Sequence, residues 1–256
     1  MEIKQCMLTN NITYKKAVPA DMKGIVVHST GVNQQYLARW VQPSDDDPNK
    51  DAIIADLGKN YNNNSWNKAN VDTIVHYMIG YNKADEVEVY QTMPLDYCCG
   101  GVANGLLCPA GTAYYAEQEL QTYVGTLTEE MRGYNWTGKP WYSIMLKING
   151  KTYYAAYRSG LSYNYNPNAH IQFEMLEDNH KDEAYFRKVV GEGVKLCAYL
   201  CKQYGFTPDD IVSHNETFLR GYGSHHNDPE NWLKDFGMTM DDFRKAVADE
   251  MASVNS

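Results

Sequence analysis

Residues 24–28 read GIVVH, a short run of apolar β-branched residues that ends at His28 and is followed by Ser-Thr-Gly. A run of this length and composition predicts a buried strand rather than a helix. Residues 211–214 read IVSH and have the same form, with His214 at the end. Because ligands bind beyond the carboxyl ends of strands in open α/β sheets, we expect both imidazoles at a functional edge of one sheet.

Strand patterns and helix patterns alternate along the rest of the chain. Further strands are predicted over 71–79, 86–92 and 170–176. An amphipathic run predicts a helix over 181–204 that ends at Gly205, and Thr239 is expected to cap a last helix. The remaining assignments are a weak helix over 35–42, a polar loop over 43–70 and a helix-compatible composition over 114–132.

The alternation of strands and helices predicts the α/β class, with a central mixed β-sheet flanked by helices. No Gly/Ser-rich or Pro-rich linker divides the sequence, so a single domain over residues 1–256 is expected.

Residues 105–160 are interpreted as an insertion within that domain, rich in aromatic residues. The strongest hairpin pattern in the chain lies here, because Asn149–Gly150 separates SIMLKI from KTYYAAY and suits a two-residue turn. One interpretation is that these Tyr and Trp side chains form a wall of a binding groove, since aromatic faces stack on flat ligand groups. A hairpin that packs half of its aromatic residues on the core accounts for the same composition.

The charge balance excludes two classes of partner. The chain has 23 Lys and Arg residues against 32 Asp and Glu residues, for a formal charge of −9. This argues against sequence-independent nucleic-acid binding and against docking on anionic membranes through a basic patch. No apolar run approaches the roughly 20 residues of a membrane-spanning helix, so membrane insertion is not expected. The first 30 residues lack the basic start and apolar stretch of a signal peptide.

The six cysteines contain no CxxC pair, which argues against a zinc ribbon or a thioredoxin-like motif. Cys197 and Cys201 are four residues apart in a predicted helix and therefore lie on one face, as expected of small buried apolar side chains. Reduced structural thiols are the favoured interpretation.

His28, His214 and Asp228 form a candidate metal site. Two His and one carboxylate, with a water in the fourth position, are the ligand set of a hydrolytic zinc site. The same residues also fit purely structural roles, since a His at a strand end is often only hydrogen-bonded and Asp228–Pro229 commonly opens a turn. The HExxH spacing of the helical metalloproteases is absent.

The chain resembles the type-2 N-acetylmuramoyl-L-alanine amidases, zinc-dependent peptidoglycan amidases related to peptidoglycan recognition proteins and to phage endolysins. The motifs that carry the resemblance occur in the family order: KGIVVHSTG, VHYMIG, VEVYQTMP, NPNAHIQFEMLED and IVSHNE followed by GSHHNDPENW. They cover roughly residues 24–100 and 160–250 and leave the aromatic insertion outside.

The resemblance implies roles for individual residues. The zinc ligands fall on His28, His214 and Asp228, and the acid/base carboxylate falls on Glu174. His226 occupies the position that stabilises developing negative charge in many members. Further candidate substrate contacts are His170, His225, Tyr77 and Trp232. Support of the metal ligands through the second ring nitrogen is the alternative role for His170 and His225. Along its strand, Glu174 is expected to share a face with Gln172 and Leu176, while Ile171, Phe173 and Met175 take the other.

Two positions depart from the family pattern. Val75 stands where some relatives carry a Tyr, a role that Glu174 can take over. Cys98–Cys99–Gly100 stands where many relatives carry a Trp-His pair, so one wall of the groove is expected to differ.

The resemblance implies a Zn²⁺-dependent hydrolase that cuts the amide between the N-acetylmuramic acid lactyl group and L-Ala of peptidoglycan. The alternatives are a non-catalytic peptidoglycan receptor of the same fold and a zinc hydrolase that cuts another stem-peptide amide. Without a signal peptide, such an enzyme is expected to be made in the cytoplasm and to reach the cell wall after release during lysis. It would otherwise reach the wall as a module of a longer exported protein.

Overall fold

A computed structural model describes residues 1–31, 33–102, 169–219 and 226–253, together with four strands between residues 112 and 157. The chain forms two compact units. The first comprises Met1–Gly101, Asn168–Ser213 and Asn227–Ser256, and the second comprises Val102–Pro167 and His214–His226. Among the described residues, no helix is both long enough and apolar enough to cross a bilayer.

The first unit is built on a six-stranded mixed sheet. Its strands are β1 (Ile3–Gln5), β2 (Ile25–Ser29), β3 (Tyr77–Tyr81), β4 (Val87–Gln91), β9 (Ile171–Met175) and β10 (Ile211–Ser213), in the spatial order β1-β4-β3-β9-β2-β10. Strands β3, β9, β2 and β10 run parallel to one another, and β4 is antiparallel to β3. The predicted α/β class with a mixed sheet is confirmed.

Four predicted strands appear close to their expected bounds, as β2, β4, β9 and β10. The strand predicted over 71–79 is wrong over 71–76, since β3 begins only at Tyr77. The preceding residues instead bond to other segments; for example, the N–H of Gly100 donates to the carbonyl of Ile74 over 3.0 Å.

The helices are α1 (Ile12–Lys16), α2 (Lys50–Leu57), α3 (Glu183–Tyr204), α4 (His214–Leu219), α5 (Glu230–Asp235) and α6 (Met240–Ser253). Helix α3 begins after Asp182, whose side chain accepts the N–H of Tyr185, and it ends at Gly205 with φ of +72°. Thr239 and Asp242 exchange hydrogen bonds at the start of α6, which confirms the predicted cap. The weak helix predicted over 35–42 appears as a 3₁₀ turn over Leu37–Arg39.

Helix α2 lies inside the stretch 43–70, where the sequence predicts a loop. Only Ile53 and Leu57 are buried along it, and the surrounding residues are polar, so its apolar face is narrow. A helix with so few apolar positions leaves little periodic pattern to detect.

Two apolar clusters cover opposite faces of this sheet. Ile25, Val27, Phe173 and Met175 pack against α3, α5 and α6 on one side. Met78, Tyr90 and Leu176 face the other side with residues of α2 and the adjoining loops. The alternation along β9 confirms that Ile171, Phe173 and Met175 share one face, and it places Glu174 on the other face.

The second unit contains a four-stranded sheet. Its strands are β5 (Thr112–Tyr115), β6 (Arg132–Tyr134), β7 (Pro140–Ile148) and β8 (Lys151–Tyr157), in the spatial order β5-β8-β7-β6. Strands β7 and β8 pair antiparallel up to Ile148↔Lys151, which confirms the hairpin around Asn149–Gly150. The helical assignment over 114–132 is wrong at Tyr114 and Tyr115, which belong to β5, and at Arg132, which belongs to β6. Residues 116–131 lie outside the described residues. The roles predicted for the aromatic side chains of the insertion also lie outside them.

Candidate metal centre and active site

The two predicted histidines lie at the same edge of the sheet, at the carboxyl ends of two parallel strands. Ser213 of β10 pairs with Val27 of β2, so His214 follows its strand at the level of His28. Both side chains are buried, with exposed fractions of 1% for His28 and 4% for His214. The short apolar runs account for this placement, because each strand buries its apolar residues, and His28 lies near the carboxyl end of β2 while His214 directly follows β10.

Asp228 reaches the same place from the loop that precedes α5. Its Oδ2 lies 3.2 Å from Nδ1 of His28 and accepts the backbone N–H of Ser29 over 3.3 Å. One ligand atom from each of His28, His214 and Asp228 lies within 4.8 Å of the other two. The structure therefore brings the three predicted ligands together as two imidazoles and a carboxylate, the donor set expected of a divalent metal site.

The hydrogen bonds of His28 show that this place favours a cation. Nε2 of His28 lies 2.8 Å from Oε1 of Gln172, and a carbonyl oxygen can only accept, so Nε2 carries a proton. Nδ1 then faces the Asp228 carboxylate, where either a second proton or a metal ion must lie between the two atoms. Burial lowers the pKa of His28, but the hydrogen bond to Asp228 and the charges of Glu174 and Asp228 raise it overall. These residues therefore fit a bound cation.

Glu174 faces the same side of the sheet as His28, because the two residues are paired in the register of β9 and β2. Its Oε2 is buried and has no hydrogen-bond partner among the described residues. The pKa of Glu174 is raised to about 8, chiefly by burial and further by the charges of Asp228 and Glu177, while the charge of His28 opposes the shift. Such a carboxyl group can accept and release a proton near neutral pH.

His226 is exposed and stacks on His214, with 4.6 Å between ring centroids and 23° between ring planes. The ring is therefore held beside a candidate metal ligand and has access to solvent. His225 lies outside the described residues.

Three of the expected substrate contacts are instead buried. Trp232 is fully buried in α5, where its ring meets Phe186 edge-on at 5.1 Å. Tyr77 is 1% exposed and belongs to the same apolar cluster. His170 is also 1% exposed and lies against Gly24, where an added Cβ would come within 3.1 Å of its ring. These positions differ from the expectation, because side chains enclosed by the core have no surface to offer a substrate.

The segment that departs from the family pattern precedes Gly101, where an added Cβ would lie 3.3 Å from Nε2 of His28. Cys99 is buried, and burial raises the pKa of its thiol to about 12, so it stays protonated and is a poor metal ligand. A Cβ on Gly100 would lie 2.6 Å from the carbonyl oxygen of Asp72, which leaves no room for a larger residue. None of the five described cysteines forms a disulfide, as expected of reduced thiols, and Cys108 lies outside the described residues.

Gln172 and Glu177 belong to the site as well, although the sequence does not single them out. Gln172 is fully buried on the site face of β9, and Glu177 is 1% exposed and accepts a hydrogen bond from Ser29. A polar residue two positions before Glu174 in an otherwise apolar strand is the sequence feature that could identify Gln172.

One family model matches the sequence of this chain, and several solved structures are similar to it at low identity. A family model described as N-acetylmuramoyl-L-alanine amidase matches residues 18–231. The structure is similar to the hydrolase AmiA of Staphylococcus aureus, with a TM-score of 0.48 and 14% identity over 100% of this chain and 85% of that one. It is also similar to the catalytic domain of XlyA, with a TM-score of 0.46 and 13% identity over 96% and 99% of the two chains. For a mutant endolysin from Bacillus subtilis the TM-score is 0.43 and the sequence identity is 14%, over 96% of this chain and 99% of that one. No curated protein matches the sequence.

Proposed function

This chain belongs to the N-acetylmuramoyl-L-alanine amidase family, and on that premise we propose that it is a zinc-dependent peptidoglycan amidase. The bond cleaved is the amide between the lactyl group of N-acetylmuramic acid and L-Ala of the stem peptide. The observation that carries the proposal is the convergence of His28, His214 and Asp228 beside the buried carboxyl group of Glu174.

The donor set of two imidazoles and one carboxylate fits Zn²⁺. Catalytic zinc sites commonly have three protein ligands of these types and an open fourth position. When bound there, Zn²⁺ polarises the scissile carbonyl and lowers the pKa of a coordinated water. A single carboxylate ligand leaves a net positive charge on the ion, so Asp228 holds the metal without cancelling its charge.

Glu174 is suited to move the proton that amide hydrolysis requires. It would accept a proton from the attacking water and return it to the leaving amine of L-Ala, so that the carboxylate is regenerated. Its buried Oε2 has no hydrogen-bond partner among the described residues, so no protein donor there competes with the water for its lone pairs.

His226 would donate a hydrogen bond to the carbonyl oxygen as negative charge develops on it. Stacking on His214 holds the ring next to the metal site, and exposure leaves its edge accessible to a substrate.

The substrate proposed is the cell wall, reached after release during lysis or as part of a longer exported protein. The formal charge of −9 opposes bulk attraction to an anionic wall, so recognition would depend on local contacts around the metal.

Digestion of purified cell walls tests this proposal. Walls are incubated with zinc-loaded protein, with and without a chelator, and new amino termini and new reducing sugars are measured. We expect new L-Ala amino termini without new reducing sugars, and loss of release with chelator. Release of a different amino terminus would show that another stem-peptide amide is cut. Wall binding without any release would identify a receptor.

A further inference from the structure

We infer that Gln172 is a positioning residue for the proposed metal site. Its side-chain carbonyl holds the proton of His28 on Nε2 and thereby directs Nδ1 towards the metal. The inference rests on the proposed function, since it requires that His28 binds a metal ion.

The geometry around His28 distinguishes its two ring nitrogens. Nε2 lies 2.8 Å from Oε1 of Gln172, whereas Nδ1 lies 3.2 Å from Oδ2 of Asp228. The amide oxygen accepts only from a protonated nitrogen, so this hydrogen bond selects the tautomer with a lone pair on Nδ1. The lone pair then faces the carboxylate that completes the ligand set.

Gly101 encloses this hydrogen bond. A Cβ at residue 101 would lie 2.4 Å from Oε1 of Gln172, 2.8 Å from Val75 and 3.3 Å from Nε2 of His28. Only a residue without a side chain leaves the two partners in contact here.

The backbone of Gln172 is itself held on both sides by His76. The N–H of Gln172 donates to Nδ1 of His76 over 3.0 Å, and the carbonyl of Gln172 accepts the N–H of His76 over 2.8 Å. Nε2 of His76 donates to the carbonyl of Tyr97 over 3.0 Å. Because burial lowers the pKa of His76 to about 4, its ring stays neutral and keeps Nδ1 as an acceptor. His76 therefore fixes the backbone of Gln172 on β9, and with it the position of the amide oxygen that accepts from His28.

Zinc affinity of variants tests the inference. We expect Gln172→Leu and Gly101→Ala each to weaken zinc binding about 10- to 100-fold, measured by competition with a chromophoric chelator. The first variant removes the acceptor and the second displaces it. Gln172→Glu should keep near wild-type affinity, because a carboxyl group offers an oxygen acceptor in either protonation state.

Thr92→Val is the matched control. Thr92 is fully buried and donates its hydroxyl to the carbonyl of Val75, so this variant also loses one buried hydrogen bond. It should bind zinc like the wild type. A weakening in this control equal to that of Gln172→Leu would reduce the role of Gln172 to general stability and overturn the inference.

The tautomer of His28 provides a measurement that needs no variant. In zinc-loaded wild-type protein, ¹⁵N-resolved spectra of the imidazole should show the proton on Nε2. A proton on Nδ1, or wild-type affinity in Gln172→Leu, would overturn the inference while the proposed function stands. A wild-type protein that binds no zinc would overturn the proposed function itself.

Discussion

Glu174 and His28 are paired across two neighbouring strands, and this pairing gives each residue its chemical character. The carboxyl group is buried beside a candidate cation site, and His28 lies between Asp228 on one ring nitrogen and Gln172 on the other. The protonation of each side chain therefore depends on the groups that contact it as well as on its residue type.

Replacing Glu174 by Gln removes the proton acceptor and keeps the shape of the side chain. We expect wall digestion to fall by about 10²- to 10⁴-fold while zinc affinity changes little, because Glu174 is not a ligand. Glu183→Gln is the control, since that exposed carboxylate pairs with Arg187 on the surface of α3. Equal digestion by the wild type and Glu174→Gln would exclude Glu174 as the acid/base group.

Several residue roles can be predicted from the sequence, and others cannot. His28 and His214 are predictable because each closes a short apolar run, a purely local feature. The polar position of Gln172 in an apolar strand is visible in the sequence, but its hydrogen bond to His28 depends on how β9 and β2 are aligned. Trp232 and Tyr77 are predicted at the substrate but lie in the core, because aromatic residues serve both surfaces and cores. When an element is buried on both sides, sequence alone does not distinguish an aromatic residue that contacts a substrate from one that packs in the core.

At the scale of elements, the segment between β9 and α3 connects the site to the rest of the first unit. Glu177 accepts a hydrogen bond from Ser29 of β2, and His180 contacts both Glu177 and Asp235 of α5. Asn179 and His180 adopt positive φ values of 79° and 60°, which turns the chain so that the imidazole lies between the two carboxylates. This segment therefore fixes the strand of His28 and the helix that follows Asp228.

His180 should make stability depend on pH. Burial lowers its pKa, but hydrogen bonds to Asp235 and Glu177 and their charges raise it overall. A raised pKa stabilises the folded state fully below the unfolded value of about 6.5, and this contribution is lost as the pH rises through the folded value. We expect His180→Gln to lower the free energy of unfolding more at pH 6 than at pH 9, measured by urea denaturation of metal-free protein.

Lys181→Gln is the control for that measurement. Lys181 is the exposed residue next to His180, and it forms no ion pair with a carboxylate among the described residues. A loss of stability in His180→Gln that stays constant between pH 6 and pH 9 would contradict the assignment.

The predicted elements agree with the structure where apolar residues dominate a short run and differ from it where they do not. Strands β2, β9 and β10 are mostly Ile, Val, Phe and Met, whereas β1 has one apolar residue and none buried, and α2 has two buried ones. Hydrophobic periodicity needs several positions to be visible, so elements that bury only a few side chains escape it.

At the scale of the whole molecule, metal binding should be linked to folding. The ligands come from β2, from the start of α4 and from the loop before α5, which are far apart in the sequence. An unfolded chain therefore offers no preformed site, and an ion that binds only the folded state stabilises it.

Removal of zinc should accordingly lower the melting temperature. At a free zinc concentration 100 times the Kd, the expected stabilisation is about 2.7 kcal/mol. Thermal denaturation with zinc and with a chelator measures it, and His214→Ala, which lacks one ligand, should lose most of the shift. Equal shifts in the wild type and His214→Ala would place the zinc elsewhere.

The pairing of His28 with Glu174 has one more consequence, for how this chemistry can persist while sequences diverge. Neighbouring strands lie about 4.8 Å apart in every β-sheet. The distance between the backbones that carry Glu174 and His28 is therefore set by the sheet itself. Loops around such a pair can lengthen, shorten or acquire a whole extra sheet without changing that distance. Any chain that aligns these two strands in the same register inherits it.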